Sequence, residues 1–210
     1  MFISLEGPDG SGKSSQLPLL ADWLRAEGYE VYTTREPGGT EIGNQIREIV
    51  LNKLENTAMH PRTEILLFLS SRAQLVEEVI RPLRDKGTII LCDRYADSTM
   101  AYQGYGHGVD LTTLKNLLNF ATGNLYPDLT LLLDLDAKTG LDRRKTNGGK
   151  WDRLDAFNQA FHERVRKGYL EMAANEPSRW ITINANQSIN EVQLALRQAI
   201  ATKLPIPAKG

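Results

Sequence analysis

The chain has 210 residues, of which 41% are hydrophobic and 24% are charged, enough for one α/β domain with a buried core. Its formal net charge of −1 argues against a large basic surface for duplex nucleic acid. Cys92 is the only cysteine, which excludes an intrachain disulfide and a thiolate zinc cluster, and the three histidines are too far apart for a metal-ligand spacing. We therefore expect one domain over residues 1–210 and no nucleic-acid partner.

A strand-like run opens the sequence, without a basic segment that leads into an apolar one, so we expect no signal peptide. No apolar run approaches the roughly 20 residues that span a bilayer. The prediction is a cytoplasmic protein without a membrane partner.

Short apolar or β-branched runs alternate with longer helical patterns along the whole chain. The predicted strands are 2–5, 31–34, 88–92, 130–133 and 180–183. The predicted helices are 13–27, 42–53, 63–86, 111–122, 138–145, 154–174 and 189–203. This alternation predicts an α/β fold with a five-stranded, mostly parallel sheet flanked by helices on both faces. Pro18 is expected to distort the first turns of the first helix, because it lacks an N–H.

A glycine-rich octapeptide lies between the first predicted strand and the first predicted helix. It consists of Gly7, Pro8, Asp9, Gly10, Ser11, Gly12, Lys13 and Ser14, and it matches the pattern G-x-x-x-x-G-K-[ST]. In such a loop the backbone N–H groups and the helix N-terminus hold phosphates. Lys13 would reach the β- and γ-phosphates of ATP, and the Ser14 hydroxyl would bind Mg²⁺. A glycine turn with an exposed lysine is the alternative, but the strand-to-helix context favours a P-loop NTPase fold.

A second magnesium-side carboxylate is expected at the end of a neighbouring buried strand. Asp93 and Asp134 both end such runs, and carboxylates also follow strands as helix caps. The pattern alone does not choose between them. Arg94 directly after Asp93 is useful at a phosphate site, so we favour Asp93 as the metal residue.

Several further blocks stand in a defined order along the chain. They are Glu6 to Lys13, Thr34-Arg35-Glu36-Pro37-Gly38-Gly39-Thr40, Phe68 with Arg72-Ala73-Gln74, Asp93-Arg94-Tyr95 with Ser98-Thr99 and Ala101-Tyr102-Gln103, and Leu141-Asp142-Arg143-Arg144 through Asp152-Arg153. Together they resemble the bacterial thymidylate kinases over residues 2 to about 175. The resemblance implies transfer of the ATP γ-phosphoryl group to dTMP, with Mg²⁺, and a homodimer formed through the helices near residues 63–80.

The resemblance assigns the dTMP site to eight residues: Asp9, Glu36, Arg47, Phe68, Arg72, Arg94, Thr99 and Gln103. Phe68 and Arg72 are four residues apart, on one helix face, where a ring can stack on thymine and a guanidinium can donate to its carbonyls. A core phenylalanine with a solvated arginine is the alternative.

The phosphate and sugar of dTMP have their own expected contacts. The resemblance implies that Arg94 clamps the phosphate as a catalytic residue. It also implies that Asp9, expected to be catalytic too, faces the sugar and accepts from its 3′-hydroxyl or holds a magnesium-bound water. Thr99 and Gln103 would present a hydroxyl and an amide to the base, although a capping threonine and a surface glutamine explain them too. A solvated ion pair explains Arg47 almost as well as a pocket role.

A basic segment, about residues 141–153, reads either as a solvated turn or as a lid over the transferring phosphoryl group. Some thymidylate kinases carry a basic residue at the position of Gly10, and others supply arginines from the lid; this sequence resembles the second group. Arg153 is then the catalytic lid arginine, and Arg143 is expected to stack on adenine in the ATP site. Asn184-Ala185-Asn186 would form the other adenine wall.

Two other functions remain open at this point. One is a kinase for another nucleotide, such as dUMP or dCMP. The other is a P-loop switch or binding module without an acceptor. Guanine-reading GTPases carry Asn-Lys-x-Asp after a strand, whereas the nearest string here, Asn52-Lys53-Leu54-Glu55, ends in Glu and follows a predicted helix. We therefore discount the switch.

Overall fold

The computed structural model describes residues 1–51, 58–146 and 157–204. Five strands form one sheet: β1 (Phe2–Glu6), β2 (Val31–Arg35), β3 (Ile89–Asp93), β4 (Leu129–Asp134) and β5 (Trp180–Asn184). Their order is β2-β3-β1-β4-β5, and every pairing is parallel. The predicted α/β fold with a five-stranded parallel sheet is confirmed, with strand ends displaced by one residue at most sites.

Nine α-helices lie in the described ranges. They are α1 (Lys13–Ala26), α2 (Glu41–Leu51), α3 (Pro61–Leu75), α4 (Arg81–Asp85), α5 (Ala96–Thr99), α6 (Leu111–Thr122), α7 (Ala137–Thr146), α8 (Gln159–Asn175) and α9 (Ile189–Ala201). A π-helical turn, Val76–Ile80, joins α3 to α4, where one long helix was predicted. Pro18 lies inside α1, which continues through it to Ala26.

A second π-helical segment, Met100–Gly106, continues α5. No helix was predicted over this part of the chain. Gly104 and Gly106 lower its helix propensity. The segment is nevertheless helical because it packs closely against α8. A β-carbon at Gly106 would come within 2.6 Å of the Phe161 ring on that helix. Glycine thus lets the segment lie directly against α8.

Alternating residues of each strand pack against helices on opposite faces of the sheet. Ile3 and Leu5 belong to a core shared with α1 and α9. Phe2, Ile90 and Cys92 point the other way, into a core shared with α3 and α6. The helix layers on both faces are therefore confirmed. In the described part of the chain, no helix is both long and apolar enough to cross a membrane.

The carboxyl ends of β1, β2 and β3 meet at one edge of the sheet. Leu5 of β1 is in register with Asp93 of β3, and Arg35 of β2 is in register with Asp93 from the other side. The loops that follow these three strands carry Gly7 to Gly12, Glu36 and Arg94. Ligands of open α/β sheets bind at this edge.

Candidate active site

The phosphate loop joins β1 to the first turn of α1. Gly12 has φ 93°, a left-handed conformation that glycine adopts without a steric penalty, and α1 begins at the next residue. The buried Lys13 Nζ donates to the carbonyls of Gly7 and Pro8, both at 2.9 Å. Burial lowers the pKa of Lys13 to about 8. The lysine ammonium and the positive end of α1 are thus held at the same loop.

Ser14 and Asp93 lie together at the end of β3. Ser14 Oγ donates to Asp93 Oδ2 at 2.8 Å. The other carboxylate oxygen, Oδ1, is buried and has no hydrogen-bond partner among the described residues. Asp134, the alternative carboxylate, instead accepts two bonds from Arg166, at 2.7 and 2.9 Å. The geometry therefore brings Asp93, and not Asp134, to the phosphate-loop serine.

Arg94 follows Asp93 in a left-handed conformation, with φ 70°, which non-glycine residues rarely adopt outside functional sites. Its Nη2 donates to Asp9 Oδ1 at 2.6 Å and to the Tyr102 hydroxyl at 3.1 Å. Its Nη1 donates to Ser98 Oγ and to the Tyr169 hydroxyl. Nη1 also donates to the Gly7 carbonyl at 3.1 Å. Five polar groups from three parts of the chain therefore fix the direction of this guanidinium.

Asp9 lies between cationic groups, which offset the negative charge of its carboxylate in the phosphate loop. Burial opposes its ionisation, but the positive charges of Arg94 and Lys13 prevail and lower the pKa of Asp9 to about 2. The Tyr102 hydroxyl also donates to Asp9 Oδ2, at 2.5 Å. Asp9 is therefore an ionised partner of the Arg94 guanidinium at neutral pH.

Glu6, at the end of β1, holds two of the side chains that accept hydrogen bonds from Arg94, namely Ser98 and Tyr169. It is fully buried and accepts from the backbone N–H of Tyr95, from Ser98 Oγ and from the Tyr169 hydroxyl, at 2.6 to 3.0 Å. Burial raises the pKa of Glu6 to about 7. Glu6 and the hydroxyl side chains that hold Arg94 in place were not predicted as site residues, although Glu6, Ser98 and Tyr102 lie within the motif blocks. Tyr169 carried no signal at all.

A pocket opens beside this cluster, between α3 and the π-helical segment. Its lining residues are Asp9, Glu36, Pro37, Arg47, Leu51, Phe68, Arg72, Arg94, Ser98, Thr99, Tyr102 and Gln103. All eight predicted dTMP-site residues are in this lining. The structure therefore brings the predicted set together around one cavity, and their roles toward dTMP stay predictions.

Arg72 is 1% exposed and is nearly saturated by protein partners. It forms an ion pair with the buried Glu36, donates to Thr99 Oγ1 at 3.0 Å and donates to the Tyr95 carbonyl at 3.1 Å. Its three hydrogen bonds use the Nε–H, one Nη1–H and one Nη2–H, so one Nη1–H makes no hydrogen bond among the described residues. The alternative of a solvated arginine is wrong.

Arg47 and Gln103 also have defined partners. Arg47 Nη1 donates to the Pro37 carbonyl at 2.9 Å, which fastens α2 to the loop after β2. Gln103 Nε2 donates to Glu64 Oε1 at 2.6 Å, with both residues buried. The alternative of a surface glutamine is therefore wrong, and Glu64 enters the site as a residue that sequence reasoning missed.

A second cleft lies over the phosphate loop. Its lining residues are Asp9, Gly10, Gly12, Lys13, Ser14, Ser15, Arg35, Glu36, Arg47, Asp93, Arg94, Arg143 and Arg144. Arg143 Nη1 donates to the Ala185 carbonyl at 3.1 Å, next to the predicted adenine wall. The predicted catalytic Arg153 lies outside the described residues.

Gly10 lies against the backbone of α7, the helix that leads into the basic segment. A β-carbon at this position would overlap the Gly140 carbonyl oxygen, and Gly10 also has φ 77°. A side chain at position 10 is therefore excluded unless α7 shifts. This contact is a physical reason why position 10 carries no basic side chain, so that Lys13 is the basic residue of the phosphate loop.

The comparison with known proteins agrees with this geometry. The family model described as thymidylate kinase matches residues 5–196. The chain belongs to the thymidylate kinase family. It is 50% identical over 200 residues to a thymidylate kinase of Roseiflexus sp. strain RS-1, covering 90% of this chain and 88% of that protein. It is 45% identical over 203 residues to a thymidylate kinase of Deinococcus radiodurans, covering 97% of both.

The structural comparison reaches the same family. A crystal structure of thymidylate kinase from Ehrlichia chaffeensis superimposes with a TM-score of 0.79, at 32% sequence identity, and covers 95% of this chain and 98% of that one. The predicted P-loop NTPase fold and the predicted membership of the thymidylate kinases are both confirmed.

Proposed function

We propose that this protein is an ATP-dependent kinase that transfers the γ-phosphoryl group to dTMP, giving ADP and dTDP for dTTP synthesis. One observation carries the proposal beyond the family relationship. The acceptor-side pocket and the phosphate-loop cleft share Asp9, Glu36, Arg47 and Arg94. Two nucleotides bound in these clefts would bring their phosphates together at Arg94.

On the donor side, the phosphate loop and Lys13 would hold the ATP phosphates. Lys13 Nζ now donates to the Gly7 and Pro8 carbonyls, and phosphate oxygens would replace these acceptors. The ammonium group then balances charge that spreads over the γ-phosphoryl oxygens. Arg143, bonded to the Ala185 carbonyl, would form one side of the adenine site.

On the acceptor side, Arg94 would present its planar fork to the dTMP phosphate. Its orientation is set by Gly7, Asp9, Tyr102, Ser98 and Tyr169, and phosphate oxygens would replace some of these acceptors when dTMP binds. Asp9 would accept from the sugar hydroxyl next to this clamp. The Phe68 ring, in the pocket wall, would stack on the base.

Ser14 and Asp93 fit a Mg²⁺ ion. A hydroxyl and a carboxylate are hard oxygen ligands of the type Mg²⁺ prefers, and Asp93 Oδ1 is a buried oxygen without a hydrogen-bond partner among the described residues. The ion, when bound, neutralises charge on the transferring phosphates. Among the described residues, no group of three His, Cys, Asp or Glu side chains offers another site.

The remaining positive charge at the transition state is assigned to the lid. The phosphate loop has no room for a basic side chain at Gly10. We assign the transition-state role to Arg153, which lies beyond the described end of α7. Arg144, in the wall of the phosphate-loop cleft, is the alternative donor.

We also infer that residues 1–210 form a single kinase domain, which works in the cytoplasm. Two copies of this domain form a homodimer through α3 and α6. Leu66 on α3 is 56% exposed, and Phe120 on α6 is 90% exposed. Apolar side chains so exposed on neighbouring helices favour a protein contact. Phe120→Asp should give a monomer by light scattering, whereas an unchanged mass would exclude this interface.

The activity is tested with ATP and a panel of dTMP, dUMP, dCMP and UMP, by following ADP release. We expect dTMP to have the highest kcat/KM. One methyl group in an apolar pocket contributes about 1–3 kcal/mol, so dUMP should be a slower but real substrate. A higher kcat/KM for dCMP or UMP would refute the substrate assignment.

A further inference from the structure

Glu64 and Gln103 form a buried pair at the back of the base pocket. Gln103 Nε2 donates to Glu64 Oε1 at 2.6 Å, and each residue is 2% exposed. Glu64, Phe68 and Arg72 recur every four residues along α3, so Glu64 extends the helix face that carries two pocket residues. The contact joins α3 to the π-helical segment, and of the two residues only Gln103 is in the pocket lining.

This contact sets the direction of the Gln103 amide. A carboxylate only accepts hydrogen bonds, so the NH₂ group of Gln103 must face Glu64, and the carbonyl Oε1 faces away from it. Among the described residues, no donor is bonded to Oε1, and Gln103 lines the pocket. The pocket therefore receives an acceptor from Gln103.

The neighbouring groups complete a hydrogen-bond pattern. Arg72 has one Nη1–H left after its bonds to Glu36, Thr99 and Tyr95, and it lines the same pocket as Gln103, so the pocket wall holds a donor as well as the Gln103 acceptor. Thymine presents the complementary pair, an O4 acceptor next to an N3–H donor. Cytosine presents the reverse, an N4 amino donor next to an N3 acceptor.

We propose that Glu64 is a specificity-determining positioning residue, which locks the Gln103 amide so that the pocket accepts thymine and rejects cytosine. The inference rests on the proposed dTMP kinase activity. Without the carboxylate, the amide can turn by 180° and present its NH₂ group to the base. That orientation repels N3–H of thymine and matches N3 of cytosine, since polar groups left unpaired in a buried site are costly.

Glu64→Gln tests this, because the amide keeps the shape of the carboxylate but can donate as well as accept. We expect the ratio of kcat/KM for dTMP to that for dCMP to fall by about 10- to 100-fold, well within the discrimination that a hydrogen-bonding site provides. dTMP turnover falls and dCMP turnover rises. A merely structural contact would lower both substrates together and leave the ratio unchanged, and that result would overturn the proposal.

The chain provides a matched control. Gln74 Nε2 donates to Glu78 Oε2 at 2.7 Å on the exposed side of the same helical stretch, so Glu78→Gln makes the same chemical change outside the pocket lining. It should leave the dTMP to dCMP ratio as in the wild type. A ratio that fell equally in Glu78→Gln would also contradict the role of Glu64.

A second variant keeps the test decisive should Glu64→Gln fail to fold. In the double variant Glu64→Gln with Gln103→Glu, the amide donates to the carboxylate, and the second carboxylate oxygen faces the base as an acceptor. Preference for dTMP should therefore return, and a loss of preference would count against the proposal. Absence of dTMP turnover in the wild type would instead refute the proposed function, so the two failures are distinguishable.

Discussion

Replacing Asp9 by asparagine removes the charge that the Arg94 cluster is built around. Asp9 accepts from Arg94 at 2.6 Å and from Tyr102 at 2.5 Å, through different oxygens. An amide would direct an NH₂ group at one of these two donors. We expect Asp9→Asn to destabilise the fold and to misplace the Arg94 guanidinium.

The magnitude follows from the pKa of Asp9, which lies at about 2 in the folded protein against an ordinary value of 3.8. Because the pKa of Asp9 is lower in the folded than in the unfolded chain by about 1.8, its ionisation adds about 2.5 kcal/mol to the free energy of unfolding. Because the folded pKa is lowered, this contribution is present above about pH 4 and is lost as the pH falls through about 2. For a chain of this length, the expected fall in Tm at pH 7 is about 5–10 °C.

Urea unfolding at pH 7 and pH 3 measures the effect. The difference between wild type and Asp9→Asn should be about 2.5 kcal/mol at pH 7 and about half of that at pH 3. Asp22→Asn is the control, because Asp22 pairs with Arg25 on the surface at 3.0 Å and should contribute less than about 1 kcal/mol. In steady-state assays, kcat/KM for dTMP should fall about 100-fold in Asp9→Asn. If Asp9→Asn were no more destabilising than Asp22→Asn, the electrostatic reasoning would be refuted.

Three further variants test other parts of the site. Lys13→Ala should abolish phosphoryl transfer and leave the circular dichroism spectrum unchanged, because the lysine acts on charge in transit; near wild-type turnover in a folded variant would contradict this. Glu36→Ala leaves the buried Arg72 guanidinium unpaired and should cost about 3–5 kcal/mol in urea unfolding, against less than about 1 kcal/mol for Glu77→Ala in the exposed pair with Arg81. Arg153→Ala should lower kcat by about two to four orders of magnitude, with little change in the KM for dTMP. Arg153→Lys should restore little of the lost kcat, because an ammonium group lacks the planar fork of a guanidinium. A raised KM for ATP with unchanged kcat would move the catalytic role to another lid arginine.

The features that could be predicted from the amino-acid sequence are those whose chemistry is local. Gly7 to Ser14 are contiguous, so the phosphate loop, the lysine and the helix start could be read directly. Strand and helix alternation predicted the parallel sheet, because hydrophobic periodicity reports burial within each element. The motif blocks also identified Phe68, Arg72, Arg94 and Gln103, through resemblance to a family.

The hydrogen bonds and ion pairs between side chains of the site could not be predicted in this way, because they depend on how the chain folds. Asp9 and Arg94 are 85 residues apart, Arg72 and Glu36 are 36 apart, and Gln103 and Glu64 are 39 apart. Such pairs form where chain crossovers bring strand ends and helix faces together, and no local pattern records that. The π-helical segment was missed for the same reason, because its glycines disfavour a helix locally and its packing against Phe161 stabilises one. The direction of the Gln103 amide, and with it the hydrogen-bond pattern offered to a base, depends on a carboxylate from another helix.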